Sequence, residues 1–235
     1  TNSKQILQDV YHVEPDKVAI LHHGVPSISL PSREELKKKM HLQNKTIIST
    51  FGLLAPGKGL EYGIEAAGIA AQKHPELVYY IIGKTHPVIQ KQHGEAYREE
   101  LQQLVRERGL EHNVRFINKY LSKQEIMQWL RMSDLYMTPY LGKDQAVSGT
   151  LAYAVGSGRV IISTPYSYAT EMLASNRGML AEFEDATSLA QCITHLLDNP
   201  DLRKTMEENT LALGKTMSWQ NVASDFYSEV SPLFT

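Results

Sequence analysis

The sequence predicts an α/β fold: one open parallel sheet of about six to seven strands with helices packed on both faces. Three observations carry that reading. Short apolar runs alternate with helix-length amphipathic stretches from Val18 to Ala181. The runs are rich in Val, Ile, Leu and Tyr and mostly lack polar alternation, as strands buried on both faces do. After the last run the pattern becomes helical nearly to the end of the chain.

The predicted strands are Val18–Leu21, Thr46–Phe51, Leu77–Ile82, Val114–Ile117, Leu135–Thr138, Arg159–Ser163 and Gly178–Ala181. The helices between them are Gly59–Lys73, Tyr97–Arg108, Lys123–Met132, Gly149–Gly156 and Tyr168–Ala174. Three further helices, Ala186–Leu197, Pro200–Leu213 and Trp219–Val230, close the chain, with breaks expected at Asn199-Pro200 and near Gly214. Pro, Gly and polar content marks Pro26–Pro31 and Thr85–Gly94 as loops. The Arg33–Lys39 segment includes Glu34 and Glu35, so it reads as a solvated helix face rather than a lipid or nucleic-acid patch.

Composition excludes several functions. The chain has 235 residues and a formal net charge of −2, with no strong field for nucleic acid or anionic lipid. Cys192 is the only cysteine, which rules out an internal disulfide framework and a Cys-based zinc cluster; its helix neighbours Ala190 and Ile193 make it an inert core residue. No apolar stretch approaches membrane-spanning length, so membrane association is not evident. There is no signal-peptide pattern, and a cytoplasmic location is expected. The first residues are Thr1-Asn2-Ser3, and the chain reads as part of a longer protein.

Open parallel sheets bind ligands beyond the carboxyl ends of their strands, so the loops after each strand are where chemistry belongs. In Gly52–Gly59, Lys58 sits at a helix entrance where its ammonium adds to unpaired backbone amides. That loop can bind phosphate, although taken alone a plain strand-to-helix turn with a solvated lysine is the commoner reading; its spacing is not that of a Walker loop. In Asp144–Leu151, Ser148 is an N-cap, and Gly149 and Thr150 open a helix with amides that an anion, or only solvent, can use. His22 and His23 are adjacent on an extended segment and point to opposite faces, so they do not chelate a metal; one of them, with Gly24, faces the cleft. Gly83 ends a strand and either admits a ligand close to the backbone or simply terminates the strand.

Taken in order, these pieces resemble the carboxyl-terminal, donor-binding half of GT-B retaining glycosyltransferases of family four (group 1). That family reads Pro-Asn-Gly-Val, Gly-Arg-Leu…Lys-Gly, a strand ending Val-Gly, Val-x-Phe, an Ala-Asp strand ending Pro-Ser, and Glu-Pro-Phe-Gly…Glu-Ala-Met-Ala-x-Gly-x-Pro-Val-Val. The counterparts are His22-His23-Gly24-Val25, Gly52–Gly59, Ile82-Gly83, Val114-Arg115-Phe116, Ser133-Asp134 through Pro139, and Gln145 through Ile162. The closing segments Gly178-Met179-Leu180, Leu196–Pro200 and Ser218-Trp219 also match in kind. The departures are specific: Leu53 stands at the arginine position, and Gln145 and Tyr153 stand at the two glutamates.

The resemblance implies a Rossmann-like domain that binds a nucleotide diphosphate sugar, UDP- or GDP-linked, with no other cofactor and no metal. By that correspondence Lys58 and Gly52 hold the diphosphate, with the amides of Ser148, Gly149 and Thr150 on the distal phosphate. Gln145 positions the sugar and Tyr153 lies near the ribose. The base sits between Gly83-Lys84 and Lys119-Tyr120-Leu121. His23, Gly24 and Glu171 face the cleft, although a carboxylate on a helix surface is the plainer account of Glu171. Asp134, at the head of a strand, is read as an acceptor for backbone amides. Residues 1–26 are expected to be an inter-domain crossover and first strand, 27–217 the donor domain, and 218–235 a helix that packs on an amino-terminal acceptor domain, leaving an exposed apolar face here. A non-catalytic nucleotide-sugar binding protein and a GT-B epimerase are the alternatives.

Overall fold

The computed structural model describes residues 2–234. In chain order the elements are α1 (Asn2–Tyr11), α2 (Arg33–Lys39), β1 (Thr46–Phe51), α3 (Leu60–Ala71), β2 (Leu77–Ile82), α4 (Pro87–His93) and α5 (Ala96–Glu107). There follow β3 (Val114–Ile117), α6 (Lys123–Met132), β4 (Leu135–Thr138), α7 (Gly149–Gly156), β5 (Val160–Ser163), α8 (Ser167–Leu173) and β6 (Gly178–Leu180). Three helices end the described chain: α9 (Ala186–Asp198), α10 (Pro200–Thr216) and α11 (Trp219–Val230).

The six strands form one parallel sheet in the order β3-β2-β1-β4-β5-β6. Successive side chains of each strand go to opposite faces, and each face has its own apolar layer. Ile48, Leu135, Met137, Val160 and Ile162 pack with Ile64 of α3, Leu101 of α5 and Ile193 of α9. Their alternates Ile47, Phe51, Tyr136 and Ile161 pack with Leu130 of α6, Leu151 of α7 and Met172 of α8. Burial on both faces is why the strand sequences run apolar without alternation.

The sheet grows outward in both directions from β1 and β4. After β1 the chain turns to β2 on one side, and β4 begins the other half. The loops that leave β1 and β4 therefore diverge at their carboxyl ends and open a crevice between them.

Four expectations need correction. Val18–Leu21 is not a strand: residues 18–24 have no regular secondary structure, and Ile20 and Leu21 are exposed. A strand requires a ladder partner, and the nearest β-pairing is an isolated parallel bridge further on, Val25 with Ser218. The Thr85–Gly94 loop holds a helix, α4, because Pro87 is well placed at its first position and His86 caps it, accepting from Val88 N at 3.2 Å. Helix α10 continues through Gly214 to Thr216. Gly214 is there because a β-carbon would lie 2.7 Å from Val155 O, so its absence lets α10 cross α7 closely. Arg33–Lys39 is the capped helix α2, yet Arg33 and Lys37 turn inward instead of standing in solvent. The amino-terminal helix α1 has no counterpart in the sequence reading.

The inward turn of α2 is explained by Asp134. Its Oδ2 accepts from Ile47 N at 2.8 Å and from Lys37 Nζ at 2.6 Å, with Arg33 Nη1 3.6 Å from Oδ1. This carboxylate thus joins β1, α2 and the start of β4, as an amide acceptor at a strand head should. Asp134→Ala leaves a buried amide without its acceptor and Lys37 without its counter-charge, while Arg33 keeps its pair with Glu207. The expected loss is about 3 kcal/mol in urea unfolding; a loss below 1 kcal/mol would show that solvent replaces the carboxylate.

Candidate functional site

A cleft of about 720 Å³ opens where the sheet order switches. Each wall is a strand-to-helix loop. The loop after β1 contributes Gly52, Leu53, Ala55 and Lys58, and the loop after β2 contributes Gly83, Lys84 and His86. Lys119 to Ser122 come from the loop between β3 and α6 and Lys123 from the start of α6, while Gln145, Val147 and Ser148 lead into α7 and Gly149 and Thr150 open it. His23, Tyr153 and the apolar Phe51, Ile82 and Ile126 complete the lining.

Close backbone approach shapes the floor. Gly83 has φ +145°, and a β-carbon there would lie 1.8 Å from Gly52 O. Only glycine lets the ends of β1 and β2 come together in this way, with Gly52 N donating to Ile82 O at 3.0 Å.

The charge on the walls has one sign. Lys58, Lys84, Lys119 and Lys123 line the cleft, and no Asp or Glu does. Lys119 is held outward by an ion pair with Glu125, which lies outside the lining. Lys58 is different: among the described residues it has no carboxylate partner, and its Nζ lies 3.7 Å from the centroid of the Tyr140 ring. Desolvation holds its pKa below the ordinary 10.5. A cation over an aromatic face gains from the ring quadrupole, but that contact does not replace lost hydration and offers no counter-charge.

Tyr140 is itself fixed. It is 1 % exposed, stacks on Tyr166 with centroids 5.6 Å apart, and shares a hydrogen bond of 3.0 Å with Thr150 Oγ1. Ser148 is the N-cap of α7; its Oγ lies 3.2 Å from Thr150 Oγ1 and accepts from Leu151 N at 3.3 Å. The cap occupies the Leu151 amide, so Gly149 and Thr150 keep the first-turn amides that have no acceptor within the helix. A desolvated ammonium and the amino end of a helix dipole thus flank one cleft, a setting for an anion.

The other expected residues fall as follows. Gln145 lines the wall, with its Nε2 donating to Val147 O at 3.0 Å. Tyr153 lies edge-on to His23, with ring centroids 5.8 Å apart. Gly83, Lys84, Lys119, Tyr120 and Leu121 line the cleft after β2 and β3, and Tyr120 is 73 % exposed. Two placements are corrected. Gly24 is buried and does not line the cleft; a β-carbon there would overlap the Trp219 indole at 2.3 Å. Glu171, half-buried on α8, is not on the cleft wall either. Sequence reading missed Tyr140 and Lys123. A tyrosine directly after a strand looks like core, and only the crossing of the β1 and β4 loops puts it under Lys58.

Fold and site first define a class: an open parallel α/β domain whose cationic cleft at the switch point suits a phosphate-bearing ligand. Comparison with known proteins then places it. Residues 32–212 match the model for glycosyl transferases group 1, and the chain belongs to that family. D-inositol 3-phosphate glycosyltransferase of Streptomyces coelicolor is 23 % identical over 232 residues, covering 91 % of this chain and 50 % of that protein. Alpha-D-kanosaminyltransferase of Streptomyces kanamyceticus is 24 % identical over 182 residues, or 77 % and 44 %. The chain spans about half the length of the curated relatives it matches. The C-terminal domain of a glycosyl transferase group 1 family protein from Francisella tularensis superposes with a TM-score of 0.68 at 23 % identity, covering 82 % of this chain and 94 % of that one. Anabaena HepE in complex with UDP gives 0.79 at 18 %, covering 93 % and 58 %. The fold is that of the C-terminal domains of GT-B proteins, and among the described residues no helix is long and apolar enough to cross a membrane.

The geometry separates binding from stability at Lys58. Its desolvation penalty is fully present below the lowered folded pKa and disappears as pH rises to the ordinary value of 10.5. Lys58→Met removes the penalty, so at pH 7 its Tm is expected at or above that of the parent, with the parent drawing level at high pH. A Tm several degrees lower by calorimetric scan would make Lys58 a structural residue.

Proposed function

We propose that this chain is the donor-binding half of a retaining glycosyltransferase that moves a sugar from a nucleoside diphosphate to an acceptor hydroxyl without a metal ion. The observation that carries this reading is the unpaired Lys58 ammonium beside the amino end of α7, in a cleft lined by lysines and no carboxylate. A leaving diphosphate develops charge as the glycosidic bond breaks. Fixed donors aimed at that charge stabilise the transition state more than the ground state. Lys58 would meet the diphosphate, and the Gly149 and Thr150 amides would hold its distal phosphate.

Gln145 would orient the sugar through its carboxamide, which both donates and accepts. Tyr153 would flank the ribose with one hydroxyl and a flat ring. The base would lie between Lys84 and Lys119–Leu121, held mostly by backbone groups. No side chain on these walls is assigned as general base, because the departing phosphate can accept the acceptor's proton at the same face. An epimerase would call for carboxylates at the cleft, and the wall supplies none. UDP is the first nucleotide to test, since Anabaena HepE is solved in complex with UDP and with UDP-glucose.

The acceptor would be held by a further domain. Helix α11 supports this: none of its residues is buried, and Trp219, Phe226 and Tyr227 are 50 %, 56 % and 72 % exposed. We assign residues 1–26 and 218–235 to the junction with that domain.

Calorimetric titration with UDP, GDP and ADP, in Mg²⁺ or in EDTA, tests the reading. One nucleotide should bind equally well in both, and Lys58→Ala should weaken it by about 10- to 100-fold, the worth of a charge-assisted hydrogen bond. No binding by any of them to the folded chain, or binding only with Mg²⁺, would contradict it.

A further inference from the structure

We propose that His23 is the second cation of this donor site, its imidazolium donating from Nε2 to a phosphate held at the start of α7. The inference rests on the donor-site reading above and assigns a role to a residue that reading leaves without one. A diphosphate ester carries about two negative charges, and Lys58 supplies one compensating positive charge.

The tautomer follows from geometry. His23 Nδ1 lies 2.9 Å from Gly24 O. A carbonyl only accepts, so Nδ1 carries a proton and Nε2 is the nitrogen left to face a ligand. Nε2 is aimed at α7: the place a β-carbon would take on Gly149 is 3.3 Å away, nearer to Nε2 than to any other ring atom. Gly149 is thus also the residue that leaves room between the ring and the helix start.

The ring is held from two sides, by Tyr153 at 5.8 Å and 76° and by Trp219 at 6.3 Å and 50°. The groups that face it bear on its charge. On α7 the only titratable residue is Tyr153, and α11 has no acidic residue in its first turn, with Asp225 and Glu229 more than a turn further on. On its own segment the neighbour is the exposed His22, and across the cleft stand Lys58, Lys84, Lys119, Lys123 and His86. Among the described residues no carboxylate pairs with His23, and a helix amino terminus repels an imidazolium. A phosphate between them reverses the balance. It accepts from the first-turn amides on one side and from Nε2–H on the other, and its charge retains the proton. Donor binding then takes up a proton at Nε2.

The test uses UDP-glucose, GDP-mannose and ADP-glucose, whose bridged phosphates do not titrate between pH 5.5 and 8.5. Calorimetry identifies the tightest, and its affinity is followed across that range in buffers of differing ionisation heat. The parent should bind about tenfold more tightly at pH 5.5 than at 8.5, with proton uptake. His23→Gln and His23→Asn, neutral throughout, should match the parent at pH 8.5, show no rise on acidification and take up no proton. A flat parent profile, or variants that keep the slope, would overturn the assignment and leave the donor site standing. No binding of any of the three would overturn the donor site itself. Unchanged circular dichroism checks folding, and the Asn variant carries the comparison if the Gln variant does not fold.

Discussion

An ammonium group stripped of much of its water, with no carboxylate beside it, is the feature on which the functional reading depends. Lys58 has exchanged hydration for the face of Tyr140, a trade that lowers its pKa. Proteins usually settle such a charge with an acidic neighbour, and elsewhere in this chain they do: Lys37 has Asp134, Arg98 has Glu95 and Arg159 has Glu207. An unsettled cation in a cleft is a candidate site for an anion.

Everything around Lys58 serves to keep it where it is. The strand order puts the β1 and β4 loops across the crevice from one another, and Leu141 N donates to Gly57 O at 3.1 Å to tie them. Tyr140 is locked by Tyr166 behind it and Thr150 beside it. The same Thr150 opens α7. One buried phenol therefore couples the lysine to the helix start, so that the two anion-directed elements are positioned by one packing unit. The cost of ordering them is met in folding the domain, which is how a binding site becomes preorganised.

Much of this was legible in the sequence, for identifiable reasons. Runs such as Thr46–Phe51 and Leu77–Ile82 betray strands because both of their faces are buried. The cleft residues were found because ligand contacts in this architecture are made by loops after strands, and loops are contiguous in sequence. What was misread depends on contacts that sequence does not display. Val18–Leu21 has a strand's composition but no neighbouring strand to pair with. Helix α4 was hidden by Pro87 and Gly94, which mark its two ends as well as they mark a loop. Gly24 was assigned to the cleft, whereas its partner Trp219 is far along the chain. Tyr140 has the pattern of a core residue, and its role depends on a lysine from a different loop.

The central claim is most directly tested by titrating the Lys58 ammonium itself. Lysine-labelled protein, with the Lys58 signal assigned by its loss in Lys58→Arg, gives the pKa of that group by NMR with and without the bound nucleoside diphosphate. The account predicts a value below the ordinary lysine range in the free chain and a clear rise when the nucleotide binds. An ordinary pKa that nucleotide leaves unmoved would contradict it.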